Sequence, residues 1–259
     1  MKTMATVKGK FLKGMLGPVI TKELNGQQVI TSKGKNPKQT EGTKEAAKTF
    51  GMASTLRRHI TECFSFNLMG LKDSDQHSRM NKIMNTSLSG ARHPVTKEFH
   101  FEKETFQNLK GFEFNLGLLA NDQINIKPVV HIDDGTLQVS FPDWELPSRL
   151  KWIKKSTYCI MTFTVVLCRL WDCLIARLPE MQSVRLEKGT DDVLNGRSFT
   201  FNAPEGCLCI TSVFLQYFDS FRMLNNEKMS PAAICDAIVL KGNYVENTGR
   251  SWMKMNIKY

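Results

Sequence analysis

The chain has 259 residues, of which 41% are hydrophobic and 23% are charged, and its formal net charge is +10. This composition is typical of a folded globular protein and excludes a disordered polybasic tail. Residues 1–60 hold twelve Lys and Arg against three Glu, a net charge of +9, so the rest of the chain is nearly neutral. We therefore expect a partner to bind the basic N-terminal section.

The cellular compartment can be inferred from the seven cysteines and from the N-terminal residues. Most cysteines lie within apolar runs, which predicts reduced core residues rather than a disulfide framework. No secretory signal is predicted, because Lys13, Gly14 and Pro18 interrupt the apolar stretch 11–20. The longest apolar run, 158–168, is too short to span a bilayer. The sequence thus predicts a protein that is cytoplasmic at synthesis, with no membrane span.

Residues 5–35 have the pattern of a β-ribbon. Two strand-like runs, Val19–Leu24 and Gln27–Ser32, flank the pair Asn25-Gly26. An Asn-Gly pair between such runs is the strongest short-range hairpin signal, because a type I′ turn needs positive φ at both central residues. The sequence therefore predicts an N-terminal β-hairpin.

Two helices are predicted after this hairpin. Thr40 is a suitable N-cap for the first helix, which extends to about Phe64 with apolar residues at steps of three and four. Gly51 in its middle marks either close packing or nothing in particular. A second helix is predicted over 73–88, with Gly90 as its end.

Short β-like runs alternate with turn signals from about residue 96 onward. The runs are 112–116, 123–131, 136–141, 157–170, 183–187, 198–202, 207–218 and 234–240. Between them, Asp133-Asp134-Gly135 and Asn195-Gly196 fit hairpin turns. Short strands with no long helix between them are typical of an immunoglobulin-like antiparallel β-sandwich. The predicted fold class is therefore α+β, mostly β: a β-hairpin and two helices over 1–95, then a β-sandwich domain over 96–259.

The N-terminal third resembles an uncharacterised Bacteroidota family. Residues 9–20 (GKFLKGMLGPVI) are similar to its Gly-rich G-x-x-G-P-V ribbon, and 36–43 (NPKQTEGT) resemble its P-x-T-E-x-Q helix start, although the usual glutamine is missing and Thr43-Lys44 stands there. The resemblance covers about residues 9–64 and implies a C-terminal all-β domain. Similar ribbon-plus-helix openings occur in small bacteriophage proteins, which adds a phage-like character, but the family implies no activity.

The sequence has no catalytic or cofactor-binding constellation. Its five histidines do not have the spacing of a metal motif, and a nucleophile elbow, a phosphate-binding loop and a dinucleotide fingerprint are absent. His131 and Asp133 share a strand face and could contribute metal ligands, but Asp133-Asp134-Gly135 is better explained as a turn. We therefore predict a non-enzymatic protein with no cofactor and no metal site.

The basic N-terminal section predicts either protein contacts or nucleic-acid binding. Its lysines could neutralise phosphates, but few aromatic residues are interleaved for base stacking and arginine is scarce. A ribbon with unpaired edges could instead add strands to a neighbouring subunit, or fold back on its own sandwich with its lysines solvated. We predict a structural or assembly protein that self-associates or acts as a scaffold, with nucleic-acid binding as the alternative.

The predicted partner contacts lie at both ends of the chain. In the C-terminal tail, Met253, Met255, Ile257 and Tyr259 alternate with polar residues, as in a strand that must pair with its own sheet or with that of another chain. The candidate contact residues are Lys8, Lys10, Lys13, Lys22, Lys33, Lys35, Lys38, Trp252 and Tyr259.

Overall fold

The structure, a computed structural model, describes residues 5–34, 39–71, 73–124, 127–141, 150–189, 194, 196–246 and 249–257. The chain divides into two units, Met1–Glu45 and Ala46–Tyr259. Strand residues outnumber helical residues, 39% against 22%, which confirms the predicted α+β, mostly β class. The boundary between residues 95 and 96 stays a prediction.

The first unit contains an antiparallel sheet of four consecutive strands in the order β1-β2-β3-β4. They are β1 (Thr6–Lys8), β2 (Phe11–Leu16), β3 (Val19–Leu24) and β4 (Gln27–Ser32). Asn25 and Gly26 join β3 to β4 with φ values of 50° and 75°, as a type I′ turn requires. The predicted hairpin is therefore confirmed, and two further strands extend it into a larger sheet.

The helices are α1 (Glu41–Cys63), α2 (Ser65–Leu68), α3 (Gln76–Ala91) and α4 (Ala120–Gln123), with a 3₁₀ turn at Gln107–Leu109. The Oγ1 atom of Thr40 accepts a hydrogen bond from the Thr43 N–H at 3.2 Å, which confirms Thr40 as the N-cap of α1. Apart from the adjacent residues and the backbone of the helix itself, no described atom lies within 4 Å of where a Cβ on Gly51 would be, so this glycine does not mark close packing. The predicted end of α3 at Gly90 is wrong, because the helix continues to Ala91.

The second unit contains two antiparallel sheets. The strands are β5 (Val129–Asp133), β6 (Thr136–Ser140), β7 (Tyr158–Arg169), β8 (Leu174–Ala176), β9 (Glu180–Glu187), β10 (Ser198–Asn202), β11 (Leu208–Phe218), β12 (Ala232–Val239) and β13 (Trp252–Lys254). The large sheet has the order β12-β11-β7-β8-β13, with β9 also paired to β7, and the small sheet has the order β10-β6-β5. Asp134 and Gly135 turn β5 into β6 with φ values of 41° and 73°, which confirms that predicted turn.

The small sheet packs on one face of the large sheet. Leu137 and Val139 from β6 and Phe199 from β10 share a buried core with Phe163 of β7 and Leu215 of β11. The side chains that face each other across this core come from alternate positions of each strand, as expected for a sandwich. The predicted antiparallel β-sandwich is therefore confirmed, whereas its immunoglobulin-like type stays a prediction.

The helices cover the opposite face of the large sheet. Leu56 of α1 and Met84 of α3 share a second core with Ile210 of β11 and Ile234 of β12. Because β7 and β11 are covered on both faces, their sequences are nearly continuous apolar runs rather than alternating ones. This placement of the helices was not predicted from the sequence.

Two predicted strands differ from the structure. The segment 112–116 forms no regular strand but follows the edge of β12, where the N–H groups of Gly111 and Phe114 donate to the carbonyls of Ile234 and Ala232, both at 2.8 Å. The run 123–131 begins at the end of α4, and its strand starts only at Val129. In the predicted turn Asn195-Gly196, the asparagine lies outside the described residues.

Candidate protein-interaction surface

Five of the nine predicted contact residues lie on the N-terminal sheet or in its turns. Lys8 ends β1, Lys10 lies in the following turn, Lys13 is in β2, Lys22 is in β3, and Lys33 follows β4. Lys35, Lys38 and Tyr259 lie outside the described residues. Trp252 belongs to β13, which lies in the second unit and is not part of the N-terminal sheet.

The described lysines of the N-terminal sheet differ in their contacts. The Nζ atom of Lys13 lies 2.6 Å from Oε2 of Glu23, and the Nζ atom of Lys10 lies 5.4 Å from the centroid of the Phe11 ring. Lys8, Lys22 and Lys33 are exposed, and within the described part of the chain no salt bridge involves them. Three positive charges are thus directed to solvent, where they can meet an acidic group of a partner.

The N-terminal sheet exposes apolar side chains on both of its faces. Strand pairing places Leu16 and Ile30 on the face of Thr21, and Ile20 and Leu24 on the opposite face. Ile30 is 64% exposed, and Leu16 and Leu24 are also more than half exposed. Within the sheet only Thr21 is buried. A single sheet cannot by itself bury side chains on both of its faces, so this surface is suited to contact with another surface.

Side-chain hydrogen bonds hold this sheet together where its ladder is incomplete. The amide of Gln28 accepts from the Leu12 N–H at 2.8 Å and donates to the Leu12 carbonyl at 2.9 Å. It thereby replaces the backbone partner that Leu12 would have in a regular ladder. The Oγ1 atom of Thr21 donates to the Gly14 carbonyl at 3.1 Å. Side-chain hydrogen bonds therefore supplement the backbone ladder between β2 and its neighbours.

Trp252 is engaged by its own chain. Its strand pairs with β8, which places it opposite Ala176. The guanidinium of Arg169 lies 5.3 Å from the indole centroid, and the indole Nε1–H donates to Glu246 Oε2 at 3.3 Å. Beyond the strand, Met255 and Ile257 are buried. The alternating tail could pair with its own sheet or with that of another chain. The structure shows that β13 pairs with its own sheet.

Two of the clefts in the second unit are lined by residues of the helices. One, of about 860 Å³, is lined by residues that include Met52, Trp171 and Met255. The other, of about 500 Å³, lies between α1 and α3, where Arg57 Nη1 is 2.6 Å from His77 Nδ1. Among the described residues, no group of three or more His, Cys, Asp or Glu could hold a metal ion. None of the predicted contact residues that the structure describes lines either cleft.

The cysteines have the surroundings of core residues. Cys159, Cys168, Cys207 and Cys209 are buried. Burial raises the pKa of Cys63 to about 11 and that of Cys207 to about 12, so these two thiols are protonated at neutral pH. Cys207 and Cys209 pack in the same core, as two residues that point to one side of a strand do.

One feature of the N-terminal sheet was not singled out in the sequence. The strand β4 contains no charged residue, although the flanking chain has Lys22 and Glu23 on one side and Lys33 on the other. The signal in the sequence is the uncharged stretch 24–32 within an otherwise basic section. The structure adds that this stretch includes an edge of the sheet.

Comparisons with protein-family models, with curated proteins and with solved structures give no significant match. Among the helices of the described residues, none combines the length and the apolar character needed to cross a membrane.

Proposed function

We propose that this chain is a non-enzymatic structural protein that self-associates or acts as a scaffold through its N-terminal sheet. The observation that carries the proposal is the exposure of Leu16, Leu24 and Ile30 on a four-stranded sheet in which only Thr21 is buried. Burial of apolar surface contributes about 25 cal/mol per Å², so covering these side chains with a partner would be favourable. A protein surface provides such cover, whereas a phosphate backbone does not.

The C-terminal tail contributes less to this proposal than its sequence suggested. The backbone of β13 is paired with β8, and Met255 and Ile257 are buried. We therefore place the partner contact on the N-terminal sheet and assign the tail to the stability of the large sheet. Membership of the Bacteroidota family and a place in a phage-like particle remain parts of the proposal.

The test compares the full chain with a variant that lacks residues 1–35. Multi-angle light scattering across a concentration series should show an assembly for the full chain and a monomer for the variant. Circular dichroism checks that the variant keeps its β structure. A full chain that stays monomeric at every concentration, or a variant that assembles equally well, would contradict self-association through this sheet.

Nucleic-acid binding is the alternative, and it has a different signature. Lysine contacts to phosphates release counterions, so affinity would fall steeply as the salt concentration rises. An electrophoretic mobility shift with mixed DNA and RNA at low salt tests this alternative. A shift that disappears at moderate salt, together with a monomeric full chain, would favour nucleic-acid binding over assembly.

A further inference from the structure

The edge strands of the second unit are protected against pairing with other chains. The segment 111–114 bonds to the edge of β12, and β9 bonds to β10 through its side chains, with Gln182 donating to the Thr200 carbonyl. The remaining edges, β5 and β13, carry charged residues such as Asp133 and Lys254. Charged side chains and covering segments are the usual means by which proteins prevent edge-to-edge association.

The two edges of the N-terminal sheet are not alike. The strand β1 has three residues, and one of them is Lys8. The strand β4 has six residues, QQVITS, with no charge and no proline. Val, Ile and Thr favour extended backbone, so β4 has the composition of a strand that accepts another strand at its edge.

The hairpin geometry shows which backbone groups of β4 point outward. The Lys33 N–H donates to the Pro18 carbonyl at 2.6 Å, and Leu24 pairs with Gln27 across the two-residue turn. Positions 27, 29, 31 and 33 therefore bond inward, because hydrogen-bonded pairs alternate along an antiparallel ladder. Gln28, Ile30 and Ser32 direct their N–H and C=O groups away from β3. Within the part of the chain that the structure describes, no backbone hydrogen bond reaches these outward groups.

We propose that β4 pairs antiparallel with β4 of a second copy of this chain, about a two-fold axis at Ile30. This inference rests on the proposed self-association and names its partner and its contact. In this register Ile30 lies opposite Ile30 of the other copy, Gln28 opposite Ser32, and Val29 opposite Thr31. The pairs at 28, 30 and 32 are hydrogen-bonded, so all three outward positions of both strands are satisfied. Two four-stranded sheets would then form one continuous sheet.

A second copy fits this edge better than a charged peptide does. The facing side chains are uncharged, and Lys33 lies opposite Gln27, so no like charges meet directly. The wider N-terminal sections are both basic and repel each other at longer range. Salt screens such repulsion, so dimerisation should strengthen between about 50 mM and about 500 mM NaCl. This salt dependence is opposite to that of nucleic-acid binding.

The first experiment removes one outward N–H without disturbing the intramolecular ladder. Ile30→Pro does this on β4, because proline is tolerated where an edge N–H faces solvent. Val7→Pro is the matched control, since Val7 is the outward position of β1. Sedimentation velocity on the full chains should show dimerisation weakened about tenfold or more by Ile30→Pro, which removes two intermolecular hydrogen bonds, and little change with Val7→Pro. Equal dimerisation of both variants and the wild type would overturn the edge pairing.

The second experiment tests the register. Ile30→Cys places two thiols opposite each other on the two-fold axis, where the Cα–Cα distance of about 5.5 Å permits a disulfide. Val29→Cys places its thiols diagonally, farther apart. Under mild oxidation, non-reducing electrophoresis should show a cross-linked dimer for Ile30→Cys well above the levels of Val29→Cys and the wild type. Stronger cross-linking of Val29→Cys would contradict this register.

The outcomes separate this inference from the proposed function. A wild-type chain that is monomeric at all concentrations contradicts both. If the wild-type chain and Ile30→Pro assemble equally well, only the pairing of β4 is contradicted. Self-association would then occur through the faces of the sheet. Loss of dimerisation in Ile30→Pro, with retention in Val7→Pro, supports both.

Discussion

Glu113 shows how a single buried carboxylate can serve local structure. Only 7% of its surface is exposed, and its two oxygens accept hydrogen bonds from the N–H groups of Ala120 and Asn121, both at 2.9 Å, at the start of α4. Burial raises the pKa of this carboxyl above its ordinary value of 4.5, although the hydrogen bonds act in the opposite direction. Glu113 thus caps a short helix at an electrostatic cost.

The raised pKa of Glu113 predicts a particular pH dependence of stability. Above pH 4.5 the unfolded chain loses this proton while the folded chain retains it, so this contribution to stability falls as pH rises towards the folded pKa. Glu113→Gln removes the effect. Its melting temperature should therefore rise relative to that of the wild type as pH increases from about 4.5 to about 7, as measured by circular dichroism.

The matched control for this series is Glu98→Gln, at an exposed position. It measures the effect of the same exchange at the surface, with which the change in Glu113→Gln is compared. The loss of one acceptor in Glu113→Gln gives a constant offset, which does not depend on pH. Parallel curves for the wild type and Glu113→Gln would show that the carboxyl does not titrate differently in the folded chain.

The contact between helices and large sheet depends on a cluster of aromatic residues. Phe64, between α1 and α2, has no exposed surface, and its ring centroid lies 5.5 Å from that of Phe114 and 5.6 Å from that of Phe214. Aromatic pairs at such distances contribute beyond the area that they bury. The cluster joins a helix junction, a loop and a central strand in one core.

Truncation of Phe64 should measure this contact. Phe64→Ala leaves a cavity in the core and is expected to lower the free energy of unfolding by about 3–5 kcal/mol. Phe66→Ala, two residues away at a side chain that is 77% exposed, should change it by less than about 0.5 kcal/mol. Urea unfolding monitored by fluorescence gives both values. Similar losses for both variants would show that Phe64 does not hold the helices on the sheet.

Individual elements differed in how well their sequences predicted them. Asn25-Gly26 was sufficient for the β3–β4 hairpin, because positive φ at both turn residues is a local requirement. The run 198–202 coincides with β10, because polar and apolar residues alternate along its whole length. The run 112–116 was mistaken for a strand, because its phenylalanines alternate with polar residues, although the segment is itself a loop that follows the edge of β12. Alternation shows that one side is buried, but not which element buries it.

At the scale of the whole molecule, the two units differ in how much they bury. The second unit has two cores, one on each face of its large sheet. The sheet of the first unit has one buried residue, Thr21. Regions with few buried apolar contacts open at low free energy, whereas central strands open only with global unfolding.

Hydrogen exchange should reveal this difference in stability. In dilute, monomeric protein, the inward amides of β3 and β4 should exchange at least about a hundredfold faster than those of β7 and β11. Mass spectrometry of peptides from these strands, followed over time, measures the difference. Equal protection in dilute solution would mean that the N-terminal sheet is stable without a partner, which would weaken the reason to place assembly there.

The sequence by itself determined the local features of this protein: the basic N-terminal section, the type I′ turn, the cap at Thr40 and the mostly β composition of the remainder. Each follows from backbone preferences or from side chains that are neighbours along the chain. Only the tertiary structure decided that the helices share a core with the large sheet, that Trp252 pairs within its own sheet, and that β4 is an uncharged edge. Those features depend on which segments meet across long stretches of chain, and hydrophobic patterning does not specify the partner of a buried face.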